Sequence, residues 1–318
     1  ELQKSLKNGV DNQKIVFSGV GKTKKEIEIA IKKNIKQINV ESIEELDEIA
    51  MICKRLNRTI NICLRVNPDV DAKTHEKIST GRSEDKFGIS EKKIFEIFKK
   101  YKSNKFIKIK GLSIHIGSQI VLLKPFYKAF QKIKLQILKL KKEGFDVSSL
   151  DLGGGVGIKY NDKNKILDIK SYAQVIDELF SDLDLEIIIE PGRYLVGSSG
   201  IILSRVIRTK SGDNKDFVII DAGMDNLIRP ALYGAEHKII PVKKKAGTNL
   251  KSYDIVGPIC ETSDVFIKKM KIHRLNSDDL VVICSTGAYS SCMASQYNLR
   301  KPAKEIFIKK KKFILSNN

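Results

Sequence analysis

Between residues 15 and 190, short apolar runs alternate with helix-like segments, and this alternation restricts the fold more than any other feature of the chain. The strand-like runs begin near residues 15, 37, 60, 112, 150 and 186, and β-branched residues dominate several of them. The segments between them carry helical spacing. The first carries apolar Ile27, Ile29, Ala30 and Ile31, and further helix-like segments lie at 43–56, 91–101, 126–142 and 172–183. Ser42 followed by Glu45 reads as a capping box opening the helix at 43–56. Repeated strand–helix units imply a parallel sheet with right-handed crossovers. Six such units fit either an open doubly wound sheet or the last six of an eight-unit barrel. The stretch 70–88 interrupts the rhythm with a long polar excursion, a length usually tied to function or disorder.

After residue 200 the texture changes. Runs at 201–207, 217–220, 253–256, 265–267, 280–283, 306–308 and 313–315 are short and β-like, with one helical pattern at 224–233. The expectation is an α/β domain at 1–199 followed by a β-rich domain at 200–318. The chain starts at Glu1 inside a helix-like segment, so it reads as a fragment whose N-terminus is missing.

Composition excludes some partners. The net charge is +20, yet Lys outnumbers Arg 48 to 10 and the lysines spread along helix faces without interleaved aromatics. A dedicated nucleic-acid function is not expected. No apolar stretch reaches the roughly 20 residues that span a bilayer, so no membrane partner is expected. Cys53, Cys63, Cys260, Cys284 and Cys292 form neither a C-x-x-C pair nor a regular framework, which suggests reduced thiols and a cytoplasmic protein. No metal site is expected.

The chemistry gathers where strands end. The run at 112–116 leads into His115-Ile116-Gly117-Ser118-Gln119, that at 150 into Gly153-Gly154-Gly155, and that at 185–189 into Glu190-Pro191-Gly192-Arg193. Alone, each has an ordinary explanation: a packed histidine, a tight turn, a strand stop. Together they are complementary. Glycines let backbone N–H groups approach a phosphate and Ser118 adds a donor. An imidazole can stack on a ring, and a carboxylate facing a ring nitrogen keeps it protonated. These are the needs of pyridoxal phosphate.

Further runs carry a family resemblance: Arg65-Val66-Asn67-Pro68-Asp69, Lys86-Phe87-Gly88, Asp221-Ala222-Gly223-Met224, Arg229-Pro230-Ala231-Leu232-Tyr233, Gly257-Pro258-Ile259-Cys260-Glu261 and Gly287-Ala288-Tyr289. With the strand-end motifs, they make the chain resemble the diaminopimelate decarboxylases, alanine-racemase-like pyridoxal-phosphate enzymes, over nearly its whole length. The resemblance implies a (β/α)8 barrel, here lacking its first two βα units, followed by a C-terminal β domain. It implies that His115 stacks on the cofactor and Glu190 faces its ring nitrogen. Ser118, Gly154, Gly155 and the backbone around Pro191-Gly192-Arg193 hold the phosphate, with Tyr289 closing over it. Arg193, Arg229 and Tyr233 bind substrate carboxylate, Glu261 reads the distal amino group, and Cys260 donates the proton that follows loss of carbon dioxide. The implied reaction converts meso-2,6-diaminopimelate to L-lysine in a homodimer with composite active sites. The lysine that anchors the cofactor belongs, by the same resemblance, to the end of the first barrel strand, upstream of Glu1, so the piece alone is expected to be inactive. An ornithine- or arginine-type decarboxylase and a non-catalytic cofactor- or partner-binding homologue are the alternatives.

Overall fold

The computed structural model describes residues 1–72, 80–81, 85–243 and 250–316, so part of the excursion at 70–88 lies outside the described residues. The chain separates into two compact units, residues 1–157 with 167–191, and residues 158–166 with 192–318. The second unit thus takes in a short segment from the middle of the α/β region, and it begins at Gly192, eight residues before the β-rich texture starts.

The first unit is built on strands β1 (Val16–Phe17), β2 (Gln37–Val40), β3 (Ile60–Asn67), β4 (Ile89–Ser90), β5 (Ile107–Ser113), β6 (Ser149–Asp151) and β7 (Glu186–Ile188). All pairings are parallel, in the order β1-β2-β3-β5-β6-β7, with β4 added beside β3. The order never reverses, so the sheet lacks the switch point of a doubly wound fold. It is also strongly curled. A flat six-stranded sheet would hold its edges roughly 24 Å apart. Ser18, just past β1, nevertheless donates a hydrogen bond to Glu190, just past β7, at 3.0 Å. The side chains just past the two edge strands therefore reach one another, as only a curled sheet allows.

After α1 (Leu2–Lys7), helices cover the outer face: α2 (Lys24–Lys32), α3 (Ile43–Leu56), α4 (Glu91–Tyr101), α5 (Leu123–Lys142) and α6 (Ile169–Phe180). Except for α1, they bury an apolar stripe, such as Leu46, Ile49, Ile52 and Cys53 on α3. Phe126 and Phe130 of α5 pack edge-on against Tyr172 of α6, with ring centroids 5.0 and 5.9 Å apart. The expected capping box on α3 forms by half. Ser42 accepts from the Glu45 N–H at 3.1 Å, but the Glu45 carboxylate takes the Glu41 N–H and the buried Lys22 ammonium instead. The complete box is on α2, between Thr23 and Glu26.

In the second unit, Gly192–Val196 forms the short helix α7. A six-stranded sheet follows from β8 (Ile202–Ser211), β9 (Asp216–Ile220), β10 (Ile239–Pro241), β11 (Leu250–Val256), β12 (Val265–His273) and β13 (Leu280–Ile283), with α8 (Arg229–Tyr233) between β9 and β10. The order is β10-β13-β8-β9-β11-β12, antiparallel except for β9 beside β11. Val206, Val218, Ile220, Ile255, Phe266 and Ile283 fill its core. A hairpin of β14 (Ile306–Lys309) and β15 (Lys312–Leu315) stands apart with exposed residues on both strands. The helical pattern at 224–233 contracts to five residues, because Pro230 starts α8 and Gly234, in the left-handed region, ends it.

Candidate active site

Polar residues gather at the C-terminal ends of the first unit's strands, as parallel sheets dictate. Alternate residues of β2 and β6 face the inside of the curl, and there they are Gln37, Asn39, Ser149 and Asp151, all buried. They form a relay of hydrogen bonds. Ser149 donates to Gln37 (3.3 Å), and the Gln37 amide donates to Asn39 Oδ1 (2.8 Å). Asn39 Nδ2 therefore points at acids: Asp151 Oδ2 lies 2.7 Å away and Glu190 Oε1 3.4 Å away. Two adjacent carboxyls cannot both ionise cheaply, and Asp151 is fully buried whereas Glu190 is exposed. Burial first, and then the charge of Glu190, raise the Asp151 pKa. Burial thus favours the protonated form of Asp151, and Glu190 stands at the open end.

His115 follows β5 by two residues. Its Nδ1 accepts the Gly154 N–H at 3.1 Å, while its carbonyl accepts from Thr80 Oγ1 at 2.8 Å and from Arg65 Nη2 at 3.4 Å. Burial and then the Arg65 guanidinium push the ring's pKa down to about 4, so the imidazole is neutral at physiological pH. Arg65 is itself fixed by Glu41 at 2.6 Å and lies over the Phe87 ring.

The glycine run does more than turn the chain. Gly153 and Gly155 hold φ of +65° and +97°, a region L side chains avoid. A Cβ on Gly154 would stand 2.1 Å from the Glu190 carbonyl oxygen, and one on Gly155 would stand 2.2 Å from that of Gly117, next to Ser118. The triplet thus draws the ends of β5, β6 and β7 together. The Gly154 N–H, expected at a phosphate, is directed at His115 here.

The second unit assembles another group. Arg193 Nη1 donates to the Tyr160 hydroxyl, and the Arg193 guanidinium lies 4.5 Å from the centroid of the Tyr289 ring. Arg229 stacks on Tyr160 at 4.2 Å and donates to His237 Nε2 at 2.7 Å. Tyr233 is half-buried and close enough to act on the charge of Arg229. Cys260 and Glu261 form a separate, exposed pair. The Glu261 carboxylate accepts from the Tyr297 hydroxyl and from Ser263 Oγ at 2.9 Å, which lowers its pKa. Their loop is pinned beneath by buried Asp264, which accepts the N–H groups of Met224 (2.7 Å) and Ile259 (2.8 Å).

Residues 1–197 match the family model described as "Pyridoxal-dependent decarboxylase, pyridoxal binding domain". The diaminopimelate decarboxylase of Neisseria meningitidis is 45% identical over 308 residues, 97% of this chain and 75% of that protein. That of Aquifex aeolicus is 39% identical over 308 residues, covering 97% and 73%. The crystal structure of diaminopimelate decarboxylase from Helicobacter pylori complexed with L-lysine superposes with a TM-score of 0.94 at 41% identity, over 99% of this chain and 78% of that one. The chain belongs to the diaminopimelate decarboxylase family.

Fold and family therefore agree with the resemblance read from the motifs. The strand-end residues of this diaminopimelate decarboxylase relative that motif reading passed over are Ser18, Asn39 and Asp151, with Tyr160 and His237 in the second unit. A signal for the first group was present. Gln37/Asn39 and Ser149/Asp151 are polar residues at period two inside otherwise apolar strands, where only an interior function tolerates them. Tyr160 and His237 carry no comparable local pattern.

Proposed function

We infer that the chain belongs to the catalytic polypeptide of a pyridoxal-phosphate-dependent decarboxylase that converts meso-2,6-diaminopimelate to L-lysine and carbon dioxide. The observation that carries this reading is the joining of His115, Gly153–Gly155 and Glu190 at one sheet end, in a chain of this family. The residues suit the cofactor. A neutral imidazole offers a flat face, and the Glu190 carboxyl, beside an Asp151 whose pKa burial raises, suits a ring nitrogen. When bound, pyridoxal phosphate supplies an electron sink for the pair left behind by departing carbon dioxide.

Residues of this chain take the following roles. His115 covers the ring, and Glu190 holds the proton on its nitrogen. Ser118, Gly154, Gly155 and the backbone of Pro191 would take the phosphate. Arg193, Arg229 and Tyr233 receive substrate carboxylate, favoured by guanidiniums stacked on aromatic faces. Glu261, kept ionised by its two hydroxyl donors, recognises the distal ammonium. Cys260 delivers a proton to the carbon that lost the carboxylate. The exposure of Cys260 and Glu261 suits residues that complete a site with a second copy, so the active species is a homodimer. Five free thiols suit a reducing, cytoplasmic setting, and among the described residues no helix is long and apolar enough to cross a membrane.

The test is direct. Holoprotein expressed from the complete reading frame should release carbon dioxide and form L-lysine from meso-diaminopimelate. Turnover of ornithine with none of diaminopimelate would overturn the reading.

A further inference from the structure

Arg229 is a buried cation on unusual supports. It is 3% exposed, its Nε has no hydrogen-bond partner, and among the described residues no carboxylate forms an ion pair with it. Its partners are neutral: the face of Tyr160 and the Nε2 atom of His237. His237 is 1% exposed, stands edge-on to Tyr160 at 4.7 Å, and contacts the Cys284 carbonyl through Nδ1 at 2.9 Å. A carbonyl only accepts and a guanidinium only donates. These two contacts therefore fix the ring as neutral imidazole with its proton on Nδ1. Burial, with Arg229 and Arg193 nearby, holds its pKa near 4, so the ring does not charge in the physiological range.

We infer that His237 is a positioning residue for carboxylate recognition, orienting Arg229 through a neutral acceptor so that the guanidinium is fixed in place while its charge stays available. The inference rests on the reading of Arg229 as a receptor for substrate carboxylate. The chemistry explains why imidazole occupies the position. An aspartate or glutamate would bind Arg229 more strongly but would neutralise it, removing the attraction for an incoming anion. An apolar side chain would preserve the charge and leave a buried donor unpaired, free to swing. Neutral imidazole, tethered at Nδ1, does neither.

Two probes isolate the effect, because L-lysine and cadaverine differ by one carboxylate. Dissociation constants are measured for both with the wild-type holoenzyme and its variants. His237→Phe should weaken L-lysine binding roughly 10- to 100-fold and leave cadaverine within about twofold. His237→Gln, whose amide oxygen can reach the Nε2 position, should recover most of the loss. His237→Glu should weaken L-lysine at least as much as His237→Phe, although it gives Arg229 a stronger partner. Equal weakening of both probes in His237→Phe, or wild-type lysine affinity in His237→Glu, overturns the inference. If the wild type itself does not prefer L-lysine to cadaverine, the receptor reading of Arg229 fails first, and the inference falls with it. A ligand-free check does not depend on how the variants fold. The ¹⁵N spectrum of histidine-labelled wild type should show His237 protonated at Nδ1 alone, and an Nε2-protonated or doubly protonated ring overturns the inference.

Discussion

Gly154→Ala tests whether the glycine run is there to bring strand ends together. The new Cβ would lie 2.1 Å from the Glu190 carbonyl oxygen, 3.0 Å from its carbonyl carbon and 3.7 Å from Pro191 Cα. All three are backbone atoms, so no rotamer change relieves the clash, and the end of β7 must retreat by roughly 1 Å to restore ordinary contact. That movement strains the hydrogen bond from the Glu190 N–H to the Gly153 carbonyl, now 2.7 Å, and the one from Gly154 to His115. Overpacking strain with two weakened hydrogen bonds amounts to roughly 3–5 kcal/mol. For a unit of this size, that lowers the melting temperature by about 10 °C. A shift of about 1 Å at a catalytic group also costs on the order of 100-fold in turnover. The matched control is Gly192→Ala, where a Cβ meets nothing within 4 Å and φ is outside the left-handed region. Its melting temperature should hold or rise, since Gly192 opens α7. If it is Gly192 that admits the phosphate, this variant should lose cofactor affinity without losing stability. Circular-dichroism melts and titration of pyridoxal phosphate by absorbance read both quantities. Equal melting temperatures for Gly154→Ala and wild type would refute the reasoning.

Cys260→Ala should lower turnover by about 10²- to 10⁴-fold with cofactor absorbance retained, and near-normal turnover would remove Cys260 as proton donor. Mixing inactive Cys260→Ala with inactive Glu190→Ala protein should restore partial activity if sites are composite; none after subunit exchange argues for sites within one chain. The raised pKa of Asp151 means the folded state holds a proton that the unfolded chain releases near 3.8. That stabilising contribution is complete below the unfolded value and is lost as pH rises through the folded one. Asp151→Asn should flatten the decline, gaining on wild type as pH rises from about 4 to about 7 by up to about 1.4 kcal/mol for each unit of raised pKa; parallel stability curves in urea would contradict it. Gly111→Ala should severely destabilise the first unit, because its Cβ would fall 1.7 Å from the Ser149 carbonyl oxygen across the β5–β6 pair; a soluble variant with an unchanged melt would show the strands part easily.

The fold was most legible where residues of one chemical kind ran together. Gln37–Val40 matches its reading from the sequence, and the strands near 60, 150 and 186 lie within a residue or so of theirs. The apolar run at 112–116 places the fourth strand too late. Its observed span, Ile107–Ser113, begins with alternating lysines, whereas the apolar residues after Ser113 leave the sheet toward Gly117, at φ +148°. Two strands carry no sequence signal: β4 is only two residues long, too short for any period, and Ile239–Pro241 is scarcely longer. Strand-end glycines and acids stood out because they break an apolar run. Tyr160 and His237 did not, since their contacts depend on partners 33 and 8 residues away in sequence. Local patterns do not encode such pairings.

The second unit's use of residues 158–166 has a consequence for how this polypeptide can be divided and made. The chain passes between units three times, so neither unit can be excised as one continuous stretch. A polypeptide cut to begin at Gly192 would keep Arg193 and Arg229 yet omit Tyr160, the ring against which both lie. During synthesis, Tyr160 leaves the ribosome ahead of both arginines and must wait for them. The aromatic support of the anion receptor is thus the oldest part of a unit whose remainder is made last.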